Sequence, residues 1–187
     1  MKQCLVLVVL GRLPAPGRCK RRLAVGIGAV AAARVQAKLL NHTIATAQLW
    51  QQTTPSSVLH LAIGSNQGAG GLAVRMQRQF SRAFQAKATQ VVLIGSDLPQ
   101  LSVRDLAAAF QALSKGDLVL GPALDGGYWL VGLNKSRGEL FSGISWGGPK
   151  VLAETIACAK RFGLRFELLP YRSDLDHIGD MAPWLND

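Results

Sequence analysis

Two aliphatic runs, Leu5–Leu10 and Val91–Ile94, carry no polar side chain at either parity. They narrow the fold more than any other feature. A strand that alternates apolar and polar residues can leave one face in water. A run that is apolar throughout needs cover on both faces, as in the inner strands of a parallel sheet flanked by helices. Each run ends in glycine, Gly11 and Gly95. Helical periodicity lies between them. Ala29–Trp50 carries Val30, Ala33, Ala37, Leu40, Ile44 and Ala47 at spacings of three and four, and Leu72–Lys87 repeats the pattern through Leu72, Met76, Phe80 and Phe84. Pro55, Ser56 and Ser57 end the first helix, Val58–Ile63 supplies a second strand, and Gly64–Gly71 is a flexible loop.

Further along, Ser102 followed by Asp105 predicts a capping box and a helix to about Ser114. Strands are expected at Asp117–Gly121, Tyr128–Leu133 and Arg165–Leu169, with a helix from Pro149 to Phe162 and a polar tail from Asp174 that holds a short last helix. Cys4 is expected within the first strand. Gly11–Leu23 is too rich in Pro and Gly for a helix and reads as a loop throughout. Strands alternating with amphipathic helices predict the α/β class: one domain over residues 1–187, with three α/β/α layers around a mostly parallel mixed sheet.

The chain has no aspartate or glutamate before Asp97, although that stretch carries twelve Lys and Arg. The net charge of +10 suits nucleic acid, an anionic surface or a phosphorylated small molecule. Aromatics make up only 6% of the chain and none interrupts the Arg18, Lys20, Arg21, Arg22 cluster, which argues against nucleic acid. Three widely spaced cysteines without a CxxC argue against a disulfide framework or zinc site. Cys4–Leu10 lacks a following small-residue cleavage site, and no apolar stretch reaches the roughly 18 residues of a spanning helix, so a cytoplasmic location is expected.

Four segments carry chemistry. The loop Gly11–Leu23 offers glycines for close backbone approach and Lys and Arg for a diphosphate, although its spacing fits neither a Walker loop nor GxGxxG; a basic surface turn is the alternative. Asp97, just past a buried strand in Gly95-Ser96-Asp97-Leu98-Pro99, is placed to hold Mg2+ or Mn2+ against phosphates, or to cap a helix. In Gly121–Leu130, Asp125-Gly126-Gly127 reads equally as a hairpin turn or as bare backbone admitting a sugar, with Asp125 contacting hydroxyls or acting as base. Asp174-Leu175-Asp176-His177, with Asp180 beyond, either completes a metal site or is a solvated tail. His42 and His60 have no metal-ligand spacing, and His42 is expected on a helix face.

Taken in order, these segments resemble one family. Arg12-x-Pro14-x-Pro16-Gly17-x-x-Lys20-x-Arg22-Leu23, Gly95-x-Asp97-x-Pro99, Gly121-Pro122-x-x-Asp125-Gly126-Gly127-Tyr128, Trp146 and Asp174-x-Asp176 look like the glycosyltransferases associated with radical-SAM and selenodomain proteins, some linked to arsenosugar biosynthesis. The resemblance implies a GT-A-type nucleotide-diphospho-sugar transferase fold, related to small nucleotidyltransferases. It implies Arg12, Gly17, Lys20 and Arg22 on the nucleotide phosphates, and Asp97 and Asp176 on a divalent Mg2+ or Mn2+. Asp125 would be the catalytic base or sugar contact, and Gly126, Gly127, Tyr128 and Trp146 would meet sugar or acceptor. The chain departs from the family at Arg21, where threonine is common, at Gly71, where an acid is common, and at Gly147-Gly148, where Ser-Thr is common; these positions bear on the acceptor.

The expected activity is metal-dependent glycosyl transfer from a nucleotide-diphospho-sugar to a small-molecule acceptor. Two alternatives stand beside it. One is a nucleotidyltransferase that uses an NTP and releases pyrophosphate. The other is a nucleotide-binding protein without activity.

Overall fold

A computed structural model of the chain describes residues 3–184. Its six strands are β1 (Leu5–Gly11), β2 (Ser57–Ile63), β3 (Gln90–Ile94), β4 (Leu118–Pro122), β5 (Tyr128–Leu133) and β6 (Phe166–Leu168). They form one sheet in the order β2-β1-β3-β5-β4-β6. β1 pairs in parallel with β2 and β3, and β4 with β6, whereas β5 runs antiparallel to both its neighbours, β3 and β4. The sheet is mixed and mostly parallel, as expected.

The helices are α1 (Arg21–Ile27), α2 (Ala29–Thr53), α3 (Leu72–Gln85), α4 (Val103–Leu113) and α5 (Val151–Arg161). Both faces of the inner strands are covered. Val6, Val8 and Leu10 of β1 pack with Met76 and Phe80 of α3 and Ala159 of α5. Leu7 and Val9, at the opposite parity, pack with Trp50 of α2 and with Leu106 and Phe110 of α4. The Trp50 and Phe110 rings stack at 4.6 Å and join α2 to α4. Alternate side chains of a strand point to opposite faces, so a run without polar residues serves two cores at once. Among the described residues, no helix is long and apolar enough to cross a membrane.

Local details differ from expectation in four places. Arg21–Leu23 begin α1 rather than ending a loop. Once Pro16 and Gly17 are passed, Arg, Leu and Ala favour helix, and Leu23 is fully buried against Ala32, Leu39 and Leu175. Cys4 precedes β1 and is only half-buried; its backbone pairs with Thr89. The buried stripe of α2 is rotated from the apolar one, leaving Val30 58% exposed while Gln36, Thr43 and Thr46 turn inward. Gly64–Gln67 forms a single 3-10 turn at the start of the expected Gly64–Gly71 loop, and its Gln67 is buried. The capping box is present as expected: Asp105 N donates to Ser102 Oγ, and Ser102 N donates to Asp105 Oδ2 at 3.0 Å.

Candidate functional site

β1 and β3 are adjacent and parallel, so Gly11 and Gly95 leave the sheet side by side. The loop after β1 and the Asp97 turn after β3 therefore share one edge, where α/β sheets commonly bind ligands. A third segment joins them. Beyond β6 the chain stays on this side of β4, with Leu169 N donating to Leu120 O and Arg172 N to Pro122 O. Leu175 N then donates to Asp97 O at 3.0 Å, which fixes Asp174 and Asp176 next to the β3 turn. Leu175 itself is buried beside Leu23 and Leu39.

The β1 loop turns on an Arg18 N to Ala15 O bond. Inside that turn lies Cys19, 1% exposed, its Sγ 3.3 Å from Ala15 O. The thiol fills the loop. Lys20 follows with left-handed backbone (φ 45, ψ 46) just before α1, a conformation that costs a non-glycine residue about 1 kcal/mol or more.

Lys20 lies between two carboxylates. Its Nζ is 2.6 Å from Asp97 Oδ1 and 3.1 Å from Asp176 Oδ1, with the Lys20 side chain only 2% exposed and the two acids 45% and 39% exposed. Arg22 Nη1 is 3.5 Å from Asp176 Oδ2. Asp174 precedes Asp176 in the tail. Burial pushes its carboxyl up to about 7, and the negative charges of Asp97, Asp125 and Asp176 add to the shift while Lys20 opposes it. The acids Asp97, Asp125, Asp174 and Asp176 thus share this edge with the cations Arg12, Lys20, Arg21, Arg22 and Arg75.

A cavity of about 610 Å³ opens here. Arg12, Lys20, Arg22, Asp97, Asp125, Gly127, Tyr128, Trp146 and Asp176 all reach its wall, so segments from both halves of the chain meet as expected. Two expected residues do not line it. Gly17 lies at the loop tip with open space around it. Gly126, at φ 88, is packed against Pro149: a Cβ there would collide with the Pro149 carbonyl, and its own carbonyl accepts from Leu152 N at 2.9 Å. Asp125 also serves its turn, accepting from Gly127 N at 2.9 Å, while Ala123 N donates to Gly127 O across the β4–β5 hairpin.

Tyr128 and Trp146 form one wall, edge to face at 6.3 Å, with Phe141 behind Trp146. Burial raises the Tyr128 phenol well above its ordinary pKa and keeps it protonated. The floor holds polar residues that sequence reasoning passed over. Gln36 Nε2 donates to Ser96 Oγ at 3.1 Å, both residues being 2% exposed. Gln67 donates to Gly11 O at 2.5 Å and accepts from Arg75 Nη1 at 2.8 Å. Gln36 gave one signal, a polar residue four positions from both Ala32 and Leu40. Gln67 and Arg75 gave none. The histidines stay outside: His42, on α2, has its Nε2 3.0 Å from Leu101 O, and His60 is exposed on β2.

Among the described residues no three His, Cys, Asp or Glu side chains gather as ligands of one ion. The donor set is the pair Asp97 and Asp176. Magnesium commonly takes one or two carboxylates and completes its shell with phosphate oxygens and water. The pair, with Arg12, Lys20 and Arg22 beside it, fits a cation that arrives with phosphates.

The sheet order, the cationic loop after β1 and the acid after β3 define a nucleotide-diphospho-sugar transferase type of fold. The structure resembles a Desulfovibrio desulfuricans G20 protein provisionally described as a nucleotide-diphospho-sugar transferase, with 26% identity and a TM-score of 0.81 over 97% of this chain and 85% of that one. It shares its fold with the inositol-1-phosphate CTP transferase of T. maritima (11% identity, TM-score 0.52, 98% and 93% covered). Rv0371c of Mycobacterium tuberculosis H37Rv, solved with manganese, also shares it (16%, 0.53, all of both chains). The chain belongs to the DUF2064 family, described as uncharacterized protein conserved in bacteria, whose profile matches residues 28–148. No curated protein matches it.

Proposed function

We propose that this chain transfers a glycosyl group from a nucleotide-diphospho-sugar to a small-molecule acceptor. One observation carries the proposal: Lys20, Arg12 and Arg22 share a single cavity with Asp97 and Asp176 at the carboxyl edge of the sheet. Arg12, Lys20 and Arg22 supply the positive charge that a departing nucleoside diphosphate needs as its charge builds. Asp97 and Asp176 would hold Mg2+ or Mn2+, which when bound supplies further charge stabilisation to the diphosphate. A manganese-bound neighbour of the same fold supports this choice of metal. Asp125, with one oxygen engaged by Gly127, keeps a second oxygen for a sugar hydroxyl or as base. Tyr128 and Trp146 offer aromatic faces to sugar or acceptor. Gly17 and Gly126 shape the loop and the hairpin. The finer placement, among transferases linked to arsenosugars, rests on the motif resemblance.

Asp97→Asn is expected to remove metal-dependent nucleotide binding and about 10²–10³ of the rate while the fold stays intact. Unchanged metal and nucleotide affinity in a calorimetric titration of this variant would refute the metal role.

A second reading is nucleotidyl transfer, supported by the proximity of the tail acid Asp176 to Asp97 and by the CTP transferase among the neighbours in fold. Product analysis separates the two. Release of NDP from sugar nucleotides supports glycosyl transfer, and pyrophosphate released from CTP or GTP supports the second reading.

A further inference from the structure

Lys20 stands where a metal ion is expected. Its ammonium touches one oxygen of Asp97 and one of Asp176, the same two carboxylates assigned above to a divalent ion. We propose that Lys20 is a built-in cation of this site, which leaves the two acids for the phosphates when a divalent ion and a nucleoside diphosphate bind together. The inference rests on the nucleotide-dependent reading.

Three observations support an exchange rather than a permanent ion pair. The Lys20 side chain is almost fully covered, yet both acids remain more than a third exposed and line the cavity, so a second cation can reach them from the open side. Lysine ends in a compact ammonium on a four-carbon stem and can change partners by rotation alone. Its backbone is held in a left-handed, sparsely populated conformation, of the kind that clusters at ligand clamps and switch regions. Charge permits the exchange: Lys20 and Arg22 together balance the two carboxylates, and a divalent ion balances both by itself and frees the two side chains. Lys20, Arg12 and Arg22 then face the incoming phosphates together.

Two consequences follow from this exchange. A bare metal ion must compete with Lys20 and binds weakly. Bare diphosphate finds Lys20 already engaged and also binds weakly. Supplied together, they bind as a unit.

Two measurements on the full chain test this. Mn2+ alone is titrated into wild type, Lys20→Met and Lys20→Gln, with the free ion followed by its electron paramagnetic resonance signal. Both variants are expected to bind Mn2+ at least about tenfold tighter than wild type, since Asp97 and Asp176 no longer hold an ammonium. Glutamine keeps hydrogen-bonding capacity if methionine perturbs the fold. Pyrophosphate is then titrated calorimetrically into wild type with Mg2+ or with EDTA. At least about tenfold tighter binding with Mg2+ is expected, and Lys20→Gln should bind pyrophosphate with Mg2+ more weakly than wild type, having no ammonium to release to the phosphates. Equal or weaker Mn2+ binding by the variants, or pyrophosphate binding indifferent to Mg2+, overturns the exchange and leaves the nucleotide reading standing. Absence of pyrophosphate binding by wild type even with Mg2+ present overturns both.

Discussion

At the scale of single residues, each acid works through what surrounds it. Asp97, Asp174 and Asp176 share a cleft, whereas Asp180 is spent on the backbone, accepting from Asp176 N at 2.9 Å and His177 N at 2.7 Å. Asp117 is a further case. A backbone N–H from Arg165 at 3.0 Å is the main reason its carboxyl lies below its ordinary range, with Asn134 and the Arg165 side chain helping. A depressed folded pKa means that Asp117 stabilises the fold at pH values above its unfolded range, near 4, and that this contribution disappears as pH falls through the lower folded value. Asp117→Ala is expected to cost about 1 kcal/mol at pH 7 and to make unfolding less sensitive to pH below about 4. Urea denaturation at pH 7 and pH 3 checks this; equal loss at both pH values would show that the charge contributes nothing.

At the scale of elements, two joints hold the cleft open. The first is α4. Asp105 caps its N-terminus with Ser102 and also accepts from Arg172 Nη2 at 2.8 Å, tying the helix to the segment that carries Asp174 and Asp176. The Asp105 side chain is 8% exposed, so its removal leaves a half-buried guanidinium short of a partner. Asp105→Ala is expected to cost about 2–3 kcal/mol, against about 1 kcal/mol for Ser102→Ala. Equal losses for the two in denaturant titrations would mean that only the cap matters. The second joint is the β4–β5 hairpin, where Gly126 lies under Pro149. Gly126→Ala combines a positive φ with a backbone collision and is expected to lower stability by about 2 kcal/mol and weaken donor binding, because Asp125 adjoins Gly126 and, like Trp146 and Pro149, lines the cavity. A melting temperature equal to wild type would contradict it.

At the scale of the whole molecule, charge divides along the sheet. β1, β2 and β3 with α1, α2 and α3 carry no acid, and every carboxylate comes from Asp97 onward. The cleft lies where the two halves meet, which draws a polyanion and its cation to one edge. Sugar nucleotides with Mn2+ are expected to raise the melting temperature, about 2.7 kcal/mol of stabilisation at a hundredfold excess over Kd, and chelator is expected to remove the shift. A screen of UDP-, GDP-, CDP- and ADP-sugars that moves no melting temperature would count against the proposed donor class. The sheet and most helices were legible because apolar runs and periodic stripes are local signals that the core then uses. The elements misjudged were those that tertiary contacts decide. Leu23 makes α1 a helix by packing on Leu39 and Leu175, and Gln36 faces inward because Ser96 meets it. The chemical groups of the cleft were also present in the linear order: cations after β1, an acid after β3, alternate acids in the tail. Their partners were not. Lys20 and Asp176 are 156 positions apart, and they meet because β1 pairs with β3 while the chain beyond β6 returns to bond Asp97 through Leu175. Residue type and spacing fix local propensity and available charge; strand pairing and chain path fix which charges touch.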